Sequence, residues 1–205
     1  MASRYSVIIY DFDGVIVNSR RAVCKYYSEM FRIFNLPVID WESSDFGKLA
    51  YGMTDEQLFS MYTTPDTVKK MREYVLDISF DEWLAVTPLE VGVHEALTDF
   101  ISGHRLAICT NRGMSINGYL EHYKLADYFS CIITSKDVSE PKPAPEGVLK
   151  ILSTFGVEPA SALYVGDSEQ DYQAAIAAGV AFVSFGASIA DTPAIRDHRE
   201  LAKYL

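Results

Sequence analysis

A chain of 205 residues has room for one large domain, or for a core domain carrying an insertion, and it can bury roughly 70% of its unfolded surface without disulfide or metal staples. Apolar residues make up 49% and charged residues 22%, an ordinary balance for a soluble globular protein. The net charge of −10, from 18 basic and 28 acidic residues, argues against nucleic acid as a partner, since that affinity rests on Lys and Arg neutralising phosphates; no apolar run has the length of a membrane helix.

The chain enters a strand almost at once, with no signal-peptide pattern, so a cytoplasmic location is expected. Cys24, Cys109 and Cys131 are odd in number, widely spaced and set among apolar neighbours, which reads as free buried thiols in a reducing cytoplasm. The first predicted strand, Ser6–Tyr10, runs into Asp11-Phe12-Asp13-Gly14. Asp11 and Asp13 have the same parity, so an extended backbone points both the same way. Two such carboxylates repel unless a cation neutralises them, which suggests a metal-assisted centre. A strand closed by an acidic Asp-Gly turn is the plain alternative.

Residues 18–87 contain no convincing strand and several helical stretches. Ala22–Phe34 is one. Thr54–Met61 is a second, with Thr54 as N-cap and Gln57 three residues on, the pattern of a capping box. Val68, Met71, Val75 and Ile78 mark a third. A simple crossover needs far fewer residues. The expectation is therefore a core of residues 1–17 and 88–205, interrupted by an inserted helical subdomain.

Beyond it, strands and helices alternate. The predicted strands are Arg105–Cys109, Cys131–Thr134, Ala162–Val165 and Val180–Phe185, short and apolar as in a buried parallel sheet. A helix precedes the first of these, with Val93, Ala96, Leu97, Phe100 and Ile101 as its stripe and Gly103 as its stop. Val148, Leu149, Leu152 and Phe155 form another, closed by Gly156; a third carries Ala174, Ala175, Ile176 and Ala178 before Gly179. Such alternation implies an α/β class fold, a Rossmann-like doubly wound parallel sheet.

Polar residues gather where the strands end, which is where open α/β sheets bind ligands. Asp11, Asp13, Thr110, Asn111, Lys142, Asp167 and Asp171 are placed to converge on one crevice. Each has a plainer use: Thr110-Asn111 or Asp167-Ser168 as helix caps, Asp171 as a first-turn acid, and Lys142 as a solvated loop residue. The order is the argument: four strand ends carry matched chemistry in sequence.

That order resembles the haloacid dehalogenase-like hydrolases, in particular the phosphatases with a small helical cap inserted after the first motif. Asp11-Phe-Asp-Gly-Val15 is similar to the family's first motif, Cys109-Thr110-Asn111 to the second, Lys142-Pro to the third and Gly166-Asp-Ser-x-x-Asp171 to the fourth. Gly52-Met-Thr-Asp-Glu-Gln-Leu58 resembles the glycine-led helix start in the caps of phosphoglycolate-phosphatase-like members. Three positions depart from the usual pattern: Val15 where Thr is commonest, Asn18 where Asp is common, and Val91-Gly92-Val93 for Pro-Gly-Val. None removes a catalytic group.

The resemblance implies hydrolysis of a small phosphorylated metabolite through an aspartyl-phosphate. Asp11 is then the nucleophile and Asp13 the general acid and base. Thr110, the amide of Asn111 and Lys142 hold the phosphoryl oxygens. Mg²⁺ is expected on the Asp11 carboxylate, the Asp13 carbonyl and Asp167, with Asp171 direct or through water. The cap is expected to close over the site, and the assembly to be a monomer or homodimer. Arg112 has two readings, a receptor for a substrate carboxylate or second phosphate and a solvated surface arginine. Arg20, Arg21 and Lys48 are further substrate-reading candidates, the arginines with Glu42 or Asp45 as alternative ion-pair partners.

Relatives with other chemistry are set against particular residues. A dehalogenase needs no acid at Asp13. A sugar-phosphate mutase carries a His early in the first cap helix, and Arg20–Glu29 has none. A diphosphate-cleaving member stays open. A phosphoacceptor receiver domain puts its acidic site after another strand and lacks the insertion. A non-catalytic binding protein would not need every motif acid together with Lys142.

Overall fold

The computed structural model describes residues 4–40, 53–75, 81–113 and 115–205. Glu42, Asp45, Lys48, Gly52 and Ile78 lie outside the described residues. The chain divides into two compact units, one reaching to Asn18 and resuming at Leu89, the other running from Ser19 to Pro88.

The first unit is a six-stranded parallel sheet. Its strands are β1 (Val7–Tyr10), β2 (Arg105–Cys109), β3 (Phe129–Ile133), β4 (Ala162–Gly166), β5 (Ala181–Phe185) and β6 (Ala194–Ile195). They lie in the order β3-β2-β1-β4-β5-β6, the doubly wound arrangement. β1 sits between β2 and β4, with Tyr10 level with Ile108 on one side and Val165 on the other. All four of its residues are fully buried, as a parallel strand covered on both faces must be. Its Val7 and Ile9 join Ala107, Ile151, Tyr164 and Ala174 in one core cluster.

Strand limits differ from expectation for local reasons. β3 starts earlier, at Phe129, and stops before Thr134, whose N–H and hydroxyl both donate to Asp137 Oδ2 and turn the chain away. β5 starts at Ala181 because the Val180 N–H is spent on the Ala175 carbonyl, closing the preceding helix around the left-handed Gly179. β6 is a two-residue strand on Ser184 and Phe185, too short to leave a periodic trace.

In chain order the helices are α1 (Arg20–Ile33), α2 (Asp55–Ser60), α3 (Pro65–Val75), α4 (Asp81–Leu84), α5 (Val93–Phe100), α6 (Ile116–His122), α7 (Glu146–Phe155) and α8 (Glu169–Ala177). α5, α7 and α8 bury one face each. Ile101, Leu149 and Ile176, expected on the apolar stripes, are exposed instead. A residue next in sequence to a buried one sits about 100° round the helix and leaves the face. α4 and α6 carry no apolar stripe in the sequence, and α6 is foreshadowed only as a helix for Thr110-Asn111 to cap: four and seven residues are too few for a stripe, and Gly118 interrupts α6.

The second unit contains α1 to α4 and no strand among its described residues. Tyr27, Met30 and Phe31 of α1 pack with Leu58 and Phe59 of α2 and with Val68 and Met71 of α3. The capping box is present: Gln57 N–H donates to Thr54 Oγ1 and the Thr54 N–H to Gln57 Oε1. Tyr26 and Tyr27 each donate a hydroxyl to one oxygen of Asp55, tying α1 to the start of α2. Arg20 and Arg21 are exposed at the start of α1. No helix among the described residues is long and apolar enough to cross a membrane.

Candidate active site

The ends of four strands, β1 to β4, build the site. The Asp11 N–H donates to the Val165 carbonyl at 2.9 Å, which carries the pairing of β1 one residue past its end. The chain then turns sharply. Ile16 and Val17 return their N–H groups to the Phe12 carbonyl, and Gly14 takes φ +78°, the left-handed region where a side chain is strained. Buried His198 donates Nε2–H to the Val15 carbonyl at 2.8 Å and fixes the far end of the turn. Burial lowers the His198 pKa to about 4, so the ring is neutral at ordinary pH.

Lys142 comes from the loop after β3. Its side chain is only 5% exposed, and Nζ lies 2.8 Å from Asp11 Oδ1 and 2.5 Å from Asp171 Oδ1. Asn111 holds the loop by its backbone: Lys142 N–H donates to Asn111 Oδ1, and Asn111 Nδ2 donates to the Lys142 carbonyl, both at 3.0 Å. The Asn111 side chain is thus committed to the lysine loop. Nor does Thr110 cap a helix. Its Oγ1 accepts from the Arg112 N–H, and α6 begins only after Ser115.

Asp171 is fully buried and crowded with donors. Ser168 gives Oδ2 both its N–H and its hydroxyl, completing a capping box at the start of α8. Lys142 takes Oδ1, and the Tyr164 hydroxyl is 3.0 Å from the same oxygen and 2.9 Å from the Cys109 carbonyl. A hydroxyl has one hydrogen, so Tyr164 serves one of those acceptors at a time. Asp167 is the reverse case. Its Oδ1 is enclosed and meets no donor. A Cβ added to Gly14 would lie 2.0 Å from Asp167 Oδ2, so glycine there is what admits this carboxylate.

Charge is poorly balanced in this slot. Burial raises the Asp11 pKa to about 7, helped by the neighbouring charge of Asp171 and opposed by Lys142. Asp13 contributes least, so the principal repulsion on Asp11 comes from Asp171 rather than from its partner in the first motif. Burial, then Asp171 and Asp11, push Asp167 well above the carboxylate range. Lys142 is raised: burial disfavours its charge, but Asp11 and Asp171 outweigh that. One carboxylate oxygen each from Asp11, Asp167 and Asp171 lies within 4.8 Å of the others. Three acids around one lysine, with Asp167 Oδ1 lacking a donor, fit a bound cation. The donors are all oxygen, the set a hard divalent ion takes.

Asp13 turns elsewhere. Arg112 Nε donates to its Oδ2 at 2.7 Å and Nη2 to its Oδ1 at 2.5 Å, a two-pronged pair with both side chains about 15% exposed. Arg112 Nη1 also reaches Ser115 Oγ, and the guanidinium lies 4.7 Å from the Tyr119 ring centroid. Same parity therefore does not leave Asp11 and Asp13 facing each other without cations: Lys142 stands against one and Arg112 against the other. Arg112 is not the solvated surface residue that was one of its two readings.

A profile of the haloacid dehalogenase-like hydrolases matches residues 8–185. The chain belongs to this family. A HAD-superfamily hydrolase of subfamily IA from Geobacter sulfurreducens is 32% identical, with a TM-score of 0.75 over 98% of this chain and 96% of that one. The phosphoglycolate phosphatase of Haemophilus influenzae is 28% identical over 193 residues, covering 89% of this chain and 86% of that protein. The phosphoglycolate phosphatase of Salmonella typhi is 43% identical over 79 residues, 38% of this chain; that match spans only 31% of the relative's length.

Within this haloacid dehalogenase-like core, Asp11, Lys142, Asp167 and Asp171 meet in one slot, with Thr110 and Asn111 beside it. Two features of the site had no signal in the sequence, the place of Tyr164 in it and the pairing of Arg112 with Asp13. Tyr164 is one apolar-looking member of a buried strand. Arg112 touches Asp13 across 99 positions.

Proposed function

We propose that the protein is a Mg²⁺-dependent phosphatase that hydrolyses a small phosphate monoester through an aspartyl-phosphate. The observation that carries this reading is the Asp11 carboxylate, held at 2.8 Å from the Lys142 ammonium in a slot that also receives Asp167. The phosphoglycolate phosphatase relatives support a small phosphorylated acid as the substrate class.

Asp11 attacks phosphorus in line with the ester oxygen. As the P–O bond to the alcohol breaks, Asp13 delivers a proton to the departing oxygen. In the second half Asp13 takes a proton from water, which attacks the aspartyl-phosphate and returns Asp11. Lys142 neutralises the phosphoryl oxygens together with the Thr110 hydroxyl and the Asn111 amide. Asp171 and Asn111 position Lys142, one by its ammonium and the other by its backbone. Asp11 and Asp167, with the Asp13 carbonyl, would hold Mg²⁺, which supplies charge neutralisation between the carboxylates and the phosphate. Asp171 has both oxygens engaged by protein donors, so it would reach the ion more readily through water than directly.

The test is turnover of a panel of small phosphate esters by purified protein with Mg²⁺ and with EDTA, alongside Asp11→Asn. The reading requires ester hydrolysis that EDTA abolishes and that Asp11→Asn lacks. Folded wild-type protein inert toward every ester, or an Asp11→Asn variant of normal activity, refutes it.

A further inference from the structure

The pair formed by Asp13 and Arg112 stands at odds with the work of a proton-transferring carboxyl group. Both Asp13 oxygens are taken by the guanidinium fork, Oδ2 by Nε and Oδ1 by Nη2. While that fork is closed both oxygens are turned to the guanidinium, and a proton placed on either would compete with it rather than serve a phosphate ester. The fork has somewhere else to turn. Arg112 is one residue past Asn111, its N–H is anchored on Thr110 Oγ1, and Ser115 and the Tyr119 ring support the guanidinium. With 16% of its side chain exposed, it is reachable by a small ligand yet partly stripped of water. Giving up Asp13 with nothing in exchange would strand a partly desolvated cation. A planar two-oxygen anion reproduces the bond pattern the fork already makes, whereas a neutral alcohol does not.

We propose that Arg112 is a transferable clamp: it holds Asp13 in the unliganded protein and passes to a carboxylate on the leaving group of the substrate, which frees Asp13 to meet the ester oxygen. This rests on the phosphatase reading and narrows its substrate class to phosphate monoesters that carry a carboxylate close to the ester. The carboxylate acts both as a recognition handle and as the trigger that assembles the site. Esters of neutral alcohols leave the fork closed and are turned over poorly.

The experiment compares 2-phosphoglycolate, ethyl phosphate and ethylene glycol bisphosphate in wild type, Arg112→Gln and Arg112→Lys, with Mg²⁺ present. Wild type prefers phosphoglycolate over ethyl phosphate. Arg112→Gln reduces that kcat/KM preference about 10- to 100-fold, the worth of a charged hydrogen-bonded contact, and Arg112→Lys, which keeps the charge and loses the fork, retains part of it. A preference that changes less than about 3-fold overturns the proposal, as does an Arg112 dependence seen only with the bisphosphate. Thermal shift with the same ligands reads the clamp without turnover: carboxylate-selective stabilisation is lost in Arg112→Gln. If wild type hydrolyses nothing, the phosphatase reading fails by itself, and the binding arm still decides whether Arg112 receives a carboxylate.

Discussion

Lys142 and Asp171 are joined at 2.5 Å, and the same lysine reaches Asp11 at 2.8 Å, so one ammonium is aimed at the candidate nucleophile by a carboxylate 29 residues away. Asp171 can do this because Ser168 fixes its other oxygen at the start of α8. Asp171→Asn would present an NH₂ group to one set of donors, whichever way the amide is turned. We expect a loss of about 1–3 kcal/mol in stability from the unmatched buried donors. A displaced Lys142 should also lower kcat/KM by about 10²-fold. Denaturant melts and steady-state kinetics on the same preparation check both.

Asp11→Asn keeps the shape of the slot and removes the proposed nucleophile. It also removes one of three crowded acids, a relief that works against any loss of stability. Turnover should fall by about 10⁴-fold or more, as for nucleophiles in other covalent mechanisms, while the thermal midpoint stays level or rises. A variant that loses activity only because it unfolds would show a lowered midpoint in circular dichroism.

The parts of this arrangement that were legible from sequence are those written in local pattern. β1, β2 and β4 are apolar runs that end in polar residues, and the parallel sheet stacks those ends together. The capping box at Thr54 and Gln57 is spelled out within four residues. What was illegible depends on pairs distant in sequence. Arg112 is open in the sequence to a substrate anion or to solvent, and nothing local shows Asp13 as its partner until the sheet brings β2 beside β1 and sets its fork there. Tyr164 reads as one more apolar strand residue until its hydroxyl is seen beside Asp171 and the Cys109 carbonyl. β6 and α6 are too short to show a period.

Gly14 and Asp167 belong to different motifs but share one space. Gly14→Ala adds a Cβ 2.0 Å from Asp167 Oδ2 and strains a backbone at φ +78°. The carboxylate must then swing away from the position it shares with Asp11. Half-maximal activity should need about 10-fold more Mg²⁺, a loss typical when the surroundings of a metal ligand are disturbed. A Mg²⁺ titration of activity measures it; an unchanged midpoint with normal turnover would separate Asp167 from the metal.

Stability of the metal-free protein should carry the signature of its buried acids. Asp11 rises from 3.8 to about 7, and Asp167 is raised as well, both chiefly by burial. A carboxyl group whose folded pKa is raised binds its proton more tightly in the folded state. Its contribution is complete below the unfolded value and is lost as pH climbs from about 4 through about 7. His198, lowered from 6.5 to about 4, has the opposite slope over much of that window, since its unfolded form takes up the proton first. A melting curve against pH alone would therefore mix two trends. The difference between melts with and without Mg²⁺ isolates the acids, because His198 bonds to the Val15 carbonyl and not to a carboxylate of the slot. On the proposed ligand set Mg²⁺ would compete with protons for Asp11 and Asp167, so its stabilising shift should be small at pH 5 and grow through pH 8. A shift that is constant across that range, or that shrinks as pH rises, would mean that these carboxylates do not hold the ion.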